Sequence, residues 1–322
     1  MVKAYILEST GSYEKLVQKT LRLKELRDGE VRIKHTAIAI NAIDAEYRKG
    51  IFRAPLPAIL GFAAVGYIEE TKGNVGPYKA GDRVGYLCQN MGAYSTARNI
   101  RSKDLITIPK NVPDKDAAIL VFKGIIAHYL VSRIFIIQPK MKVLIHGAAG
   151  SLGMLVTNLA KLAGGIVIGT VGSSVNRELA LKNGCDYVVN YNLTSYESNL
   201  SNFCQSSRIN VVYDFVGKDT FSKTVDFMAE YSLMVNAGSA SGVINQFNLE
   251  SLREKNIFVV SPSIFQYKHE FEFKLAVAEV FELFSKKIIS SNISQEYSFE
   301  EILVAHHHLE NRGKHGNSVV LL

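Results

Sequence analysis

Three glycines, Gly147, Gly150 and Gly153, close an apolar run that begins at Val143 and open a helix-forming stretch that begins at Met154. A run of Val-Leu-Ile-His without period-2 polarity suits a parallel strand covered on both faces. Glycine then serves three separate needs: the chain reverses, backbone N–H groups approach an anion, and the helix packs closely on the strand. The helix start offers N–H donors without intrahelical acceptors and a partial positive charge, a setting for a pyrophosphate. Gly150 and Gly153 are therefore candidate cofactor-binding residues.

A second apolar run, Ile166 to Val171, follows at the distance where a dinucleotide-binding unit reads the adenosine ribose. An NAD site places Asp or Glu there to hold the ribose hydroxyls. This chain has Gly172-Ser173-Ser174-Val175-Asn176-Arg177, two hydroxyls and an arginine without an acid, which favours NADPH over NADH. Ser173 or Ser174 could equally cap the next helix, with Arg177 a solvated first-turn residue. The two roles are compatible.

The elements that must position these residues follow from the hydrophobic pattern. Residues 1 to 120 are β-rich, with short apolar segments such as Val31–Ala39 between turns at 27–29, 79–82 and 111–113. Residues 121 to 262 alternate strand and helix. After the first two strands come Tyr187–Val189, Val211–Asp214, Leu233–Val235 and Ile257–Val260. Six short strands with helical crossovers imply an α/β fold with a doubly wound parallel sheet. Its ligand belongs at the carboxyl edge, where Gly172, Val216-Gly217 and Ala237-Gly238-Ser239 fall. Residues 263 to 322 return with a helix over 268–287, its apolar face including Phe271 and Leu275. A strand at 296–299, a helix from Glu300 and a closing strand at 318–322 that pairs back into the first domain complete the expectation.

Composition narrows the remaining classes. With 322 residues, 47% hydrophobic, the chain can bury two real cores. No run of 18 or more apolar residues predicts a membrane span, and the start at Met1-Val-Lys-Ala lacks the features of a signal peptide. Cys88, Cys185 and Cys204 are too scattered for a disulfide or structural zinc framework, so a cytoplasmic location is expected. The N-x-[ST] matches at Asn192, Asn199 and Asn292 are then chance. The net charge of +7 suits an anionic cofactor, and nucleic acid is not the expected partner. Hydrolase, P-loop and H-E-x-x-H patterns are absent. His306-His-His308 cannot converge on one ion, because successive helical positions face about 100° apart. A partly exposed helix is expected there, and no metal.

Across nearly the whole chain the residues resemble the zinc-independent quinone oxidoreductases of the medium-chain dehydrogenase/reductase superfamily. The resemblance rests on Asn41-Ala-Ile-Asp44 with Arg48-Lys-Gly50, Ala80-Gly-Asp-Arg-Val84, Gly92-Ala-Tyr-Ser95 and Lys123-Gly124 before Tyr129. It continues through His146–Gly153, Gly169-Thr-Val-Gly172, Val212-Tyr-Asp214 with Val216-Gly217, and Ala305-His306 with Leu309-Glu310. It implies a Rossmann domain (121–262) and a discontinuous β-rich GroES-like domain (1–120 completed by 263–322), NADPH bound in the cleft between them, and a homodimer. By the same resemblance Asn41, Tyr129, Ser151, Leu152, Ser173, Tyr191 and Ala237-Gly238-Ser239 touch the cofactor. The implied reaction is hydride transfer from nicotinamide to a quinone or, in close relatives, to the activated double bond of an enal, enone or enoyl thioester.

The chain departs from the family pattern at several points. Zinc-dependent members carry Cys near Asn41 and His-Glu after the glycine at Gly61, where this chain has Phe62-Ala63. Glu46 stands where a tyrosine is usual, with Tyr47 one place later. Ile126 replaces a threonine, and Asn176 replaces the lysine of the 2'-phosphate pocket. Tyr47 and water are the candidate proton donors. A reading from another class, an NADPH-binding protein with little turnover that contacts RNA, rests on the +7 charge and the altered residues Glu46, Ala63 and Ile126. No RNA-recognition aromatic motif accompanies them.

Overall fold

Buried residues alternate with half-buried or exposed ones from Val31 to Ala37, the period of a strand with one face on a core, and the last four residues to Ile40 are buried on both faces. The computed structural model describes residues 1–268, 272–310 and 316–322. In chain order the first strands are β1 (Val2–Leu7), β2 (Leu16–Leu21), β3 (Glu30–Ile40), β4 (Ala58–Ile59), β5 (Ala63–Thr71), β6 (Arg83–Leu87), β7 (Ala97–Arg101) and β8 (Leu105–Thr107). Then come β9 (Lys142–His146), β10 (Ile166–Val171), β11 (Tyr187–Asn190), β12 (Ile209–Asp214), β13 (Met228–Asn236) and β14 (Phe258–Val260), and finally β15 (Ile293–Ser298) and β16 (Asn317–Leu321).

Two units divide the chain. The first comprises Met1–Ile125, Val277–Ser285 and Ser291–Leu322. Its larger sheet has the order β15-β16-β3-β5-β6-β8, with β7 on β3, and β2-β1-β4 form a smaller sheet. The closing strand β16 lies antiparallel on β3, with Val320 opposite Ile38, so the far end of the chain completes the sheet begun near its start. The core gathers Val31, Ile33, Ile38, Leu60, Ala64, Val84, Tyr86, Tyr94 and Val320.

The second unit, Ile126–Ala276 with Lys286–Ser290, holds one parallel sheet in the order β11-β10-β9-β12-β13-β14. All five residues of β9 are buried, which is why its sequence shows no polar alternation. The order reverses beside β9, and the register sets Asp214 of β12 against His146 of β9. The loops leaving those two strands therefore start side by side at the carboxyl edge, the topological switch point of a doubly wound sheet.

The elements differ from the expectation in detail. β13 starts five residues early at Met228 because Ala229 to Ser232, too polar to read as strand, form an irregular extension in which Tyr231 has φ +56°. β15 ends at Ser298 because its N–H donates to Glu301 Oε2 at 2.8 Å, a capping arrangement that turns the chain into a 3-10 turn at Phe299. The expected helix over 268–287 is Glu272–Ser285, preceded by a short helix Ile264–Tyr267 that packs with the second unit; Phe271 lies outside the described residues. Asp114–Ile134 is long and apolar enough to cross a membrane by length and composition, yet 78% of its apolar window is buried inside the protein, as in a core helix.

Candidate functional site

The glycine turn of the second unit separates its tasks among the three glycines. Gly147 has φ +77°, a conformation that a side chain disfavours, and makes the reversal. Its N–H and that of Ala148 donate to Thr170 O at 3.0 and 3.1 Å, tying the turn to β10. Gly153 makes the close approach: a Cβ there would lie 2.3 Å from Gly147 O. Gly150 is the N-cap residue of helix Ser151–Leu162, so the N–H groups of Ser151, Leu152 and Gly153 head the helix without intrahelical acceptors. Sequence reasoning began this helix at Met154; the structure adds the three donor residues that matter for an anion.

At the end of β10 the turn Gly172–Arg177 is laced to the loop after β11. Asn192 Nδ2 donates to Gly172 O at 2.9 Å, and a Cβ on Gly172 would meet the Tyr191 hydroxyl at 2.8 Å. Ser173 is the N-cap of helix Ser174–Lys182, its Oγ accepting from Asn176 N–H at 3.4 Å. Ser174 and Arg177 are exposed on the first turn, and Asn176 Oδ1 is buried without a hydrogen-bond partner. Capping therefore accounts for Ser173, and Arg177 points to solvent.

On the other side of the switch point, Asp214 organises the turn after β12, a role the sequence did not disclose. Its buried carboxylate accepts from Val216 N–H (2.8 Å), Gly217 N–H (2.9 Å) and the Thr220 hydroxyl (3.0 Å). Ala237 N–H donates to Asp214 O at 2.9 Å, and a Cβ on Gly238 would lie 2.6 Å from Phe215 O. Val216-Gly217 and Ala237-Gly238-Ser239 thus form one stacked edge. Beneath it, buried His146 is pinned between Thr170 and Thr224, both at 2.8 Å. Thr224 donates to Thr220 O, so it accepts from Nε2–H, and Nδ1 accepts from Thr170. Burial lowers the His146 pKa and keeps the ring neutral. Tyr129 is buried, its ring stacked on Tyr267 at 4.4 Å between centroids.

In the first unit, Asn41 precedes helix Ala42–Lys49. Its N–H donates to Asp44 Oδ2 at 2.8 Å and its Nδ2 to Ala39 O at 3.3 Å, while Oδ1 is buried without a partner. Asp44 also accepts from the Tyr94 hydroxyl at 2.9 Å, and burial raises its pKa to about 7. Tyr94 oxygen lies 2.9 Å from His306 Nε2, and His306 Nδ1 accepts from Arg48 Nε at 3.3 Å. A directed chain of donors therefore runs Arg48, His306, Tyr94, Asp44, anchored by the ion pair of Arg48 with Glu310. Lys123, buried, donates to Asn317 Oδ1 at 2.6 Å and Ile40 O at 3.3 Å, and burial lowers its pKa to about 8. Tyr47 is half-buried, its ring 5.5 Å from that of Phe52 and 5.3 Å from that of Phe62.

The three histidines face three ways. The helix is partly exposed, as expected, with His307 on its exposed side, but His306 is fully buried, and burial with the nearby Arg48 lowers its pKa to about 3. His307 meets the Tyr13 ring edge-on at 5.1 Å, and His308 Nδ1 lies 2.8 Å from the Tyr297 hydroxyl. Among the described residues no group of three or more His, Cys, Asp or Glu is placed to hold a metal ion.

A parallel sheet of this order, a glycine turn heading a helix at its switch point and a β-rich unit closed by the chain's end define a dinucleotide-binding oxidoreductase of the medium-chain dehydrogenase/reductase class. Residues 27–132 match the family model described as alcohol dehydrogenase GroES-like domain, and residues 151–280 the one described as zinc-binding dehydrogenase. The chain is 32% identical to a quinone oxidoreductase of Pseudomonas aeruginosa over 100% of both chains. It is 30% identical to a 2-haloacrylate reductase of Burkholderia sp. over 100% of this chain and 99% of the other. The crystal structure of Escherichia coli quinone oxidoreductase complexed with NADPH matches with a TM-score of 0.95 and 31% identity over 100% of both chains. The chain belongs to the quinone oxidoreductase family of the medium-chain dehydrogenases/reductases.

Proposed function

We propose that this enzyme reduces quinones with NADPH. The observation that carries the reading is the second unit's switch point: donors without acceptors at Ser151–Gly153, and a ribose-reading turn at Gly172–Arg177 that holds no carboxylate. Its similarity to quinone oxidoreductases along its full length supports the substrate class. When bound, NADPH supplies the hydride. In the second unit, Gly150, Ser151, Leu152 and Gly153 hold the pyrophosphate, and Gly172, Ser173, Ser174, Asn176, Arg177 and Tyr191 surround the adenosine ribose. Val216, Gly217, Ala237, Gly238, Ser239 and Tyr129 line the nicotinamide half. In the first unit, Asn41 is a further cofactor-binding candidate, its Oδ1 buried without a hydrogen-bond partner. Tyr47 is the proton donor, its ring held by Phe52 and Phe62.

The similarity to a 2-haloacrylate reductase favours a second reading, reduction of an activated carbon–carbon double bond. The two differ in proton demand: a reduced quinone gains charge on oxygen, where either Tyr47 or water can deliver the proton, whereas a reduced enone needs a proton at carbon. The enzyme acts as a cytoplasmic homodimer in this proposal. Exposed Phe258 and Val259 on the edge strand β14 offer an apolar strip for a second copy, and none of the three cysteines is paired.

The test is titration of the purified protein with NADPH and NADH, followed in the same cuvette by nicotinamide absorbance after addition of p-benzoquinone, with product analysis. Preferential NADPH binding and quinone-dependent oxidation to a hydroquinone are expected. Oxidation only with an enone, yielding the saturated carbonyl, moves the assignment to the second reading. Binding without turnover on either refutes both.

A further inference from the structure

Asn176 brings no charge to the adenosine end of the site, and the atom it leaves unsatisfied is an acceptor, Oδ1, which repels an anion. Arg177 beside it is exposed on the helix surface. A second source of positive charge stands close by. A cavity of about 530 Å³ is lined by Tyr191 and Asn192 from the loop after β11 and by Lys218, Asp219, Ser222 and Lys223 from the segment after β12. Tyr191 and Asn192 are the residues that lace this loop to Gly172, so the cavity adjoins the ribose-reading turn.

Lys218 is placed with some rigidity. Its N–H donates to Gly242 O at 3.1 Å, and its aliphatic stem runs against Gly242, where an added Cβ would lie 3.6 Å from Lys218 Cδ. Lys223 projects from the short helix Phe221–Thr224. Neither ammonium has an ion-pair partner among the described residues. Asp219, its N–H donating to Ser241 Oγ at 3.0 Å, subtracts one charge, leaving the cavity net positive. A phosphate monoester carries close to two negative charges at neutral pH, the partner that two unpaired ammoniums and a serine hydroxyl suit.

We propose that Lys218 and Lys223 supply the charge that recognises the 2'-phosphate of NADPH, in the cavity they line with Tyr191. The inference rests on the NADPH reading above. It assigns cofactor preference to the loop after β12 instead of to the turn after β10. Because both ammoniums are solvated, the contribution is screened by salt.

The experiment measures binding of 2',5'-ADP and 5'-AMP, and of NADPH and NADH, to the full chain and to Lys218→Met, Lys223→Met, the double variant and Arg177→Ala. Circular dichroism confirms each fold. The expected result is a loss of about tenfold in affinity for 2',5'-ADP and NADPH in the double variant at low salt. Binding of 5'-AMP and NADH should stay within about twofold, and the salt dependence of 2',5'-ADP binding should flatten. Equal weakening of phosphorylated and unphosphorylated ligands overturns the proposal, since the lysines would then serve the adenosine alone. So does selective loss in Arg177→Ala with the lysine variants unchanged. A wild-type protein that binds 5'-AMP as well as 2',5'-ADP sinks the NADPH reading itself, an outcome distinct from both.

Discussion

Gly153→Ala tests whether close packing, as distinct from loop flexibility, makes glycine necessary in the cofactor turn. The added methyl would sit 2.3 Å from Gly147 O and 3.0 Å from Ala148 Cα, where ordinary contact begins at 3.4 Å. The helix Ser151–Leu162 must retreat by roughly 1 Å, a gap large enough to forfeit a quarter to a half of the dispersion contact along its buried face. That face carries Met154, Leu155, Val156 and Leu159. The cost should be about 1–3 kcal/mol, and at about 2–4 °C per kcal/mol a fall in Tm of about 5 °C. Displacement of the Ser151–Gly153 donors should weaken NADPH as well. Gly147→Ala has room, its nearest neighbour 3.5 Å away, but must hold φ +77°, at about 1–2 kcal/mol. Gly150→Ala, with φ −75° and a 3.1 Å contact to Gly147 O, should be the mildest for stability. Thermal melts by circular dichroism and NADPH titrations by nicotinamide fluorescence give the ranking. A Gly153→Ala protein that melts with the wild type, or above Gly150→Ala, refutes the packing argument.

Two further perturbations probe buried carboxylates. Asp214→Ala leaves the N–H groups of Val216 and Gly217 and the Thr220 hydroxyl without their acceptor, at about 1–3 kcal/mol for each buried group, less than additively. Denaturant melts should show a loss of several kcal/mol, partly restored in Asp214→Asn; a loss under about 0.5 kcal/mol contradicts the role given to the carboxylate. Asp44 has a folded pKa raised by burial to about 7, so the folded protein holds this proton more tightly than the unfolded chain. Its contribution is most favourable below the usual carboxylate pKa and declines as pH rises towards 7, by about 4 kcal/mol in all. Melts of wild type and Asp44→Asn at pH 4.5 and 7.5 should show a shallower decline in the variant, and parallel pH profiles would exclude Asp44 as the source.

Local sequence determined much of the site's scaffold. The glycine spacing before Met154, the unbroken apolar runs of β9 and β10 and the absence of an acid after Val171 are read from neighbours along the chain, because backbone conformation and strand burial are short-range consequences of residue type. Closure of the first unit's sheet by the chain's last residues was legible from the apolar pattern at 318–322 together with the resemblance. The partners of buried polar groups were not. His306 read as one of three histidines on a partly exposed helix until the fold set it between Arg48 and Tyr94, more than two hundred residues away in sequence. Asp214 read as the end of a strand until the turn around it closed, and nothing in the sequence singled out Lys218 until the fold brought it to the same cavity as the loop after β11. Residue type determines which groups need a partner; only the tertiary structure decides which partner each one meets, because leaving a buried polar group unpaired is costly and the candidates lie far apart along the chain.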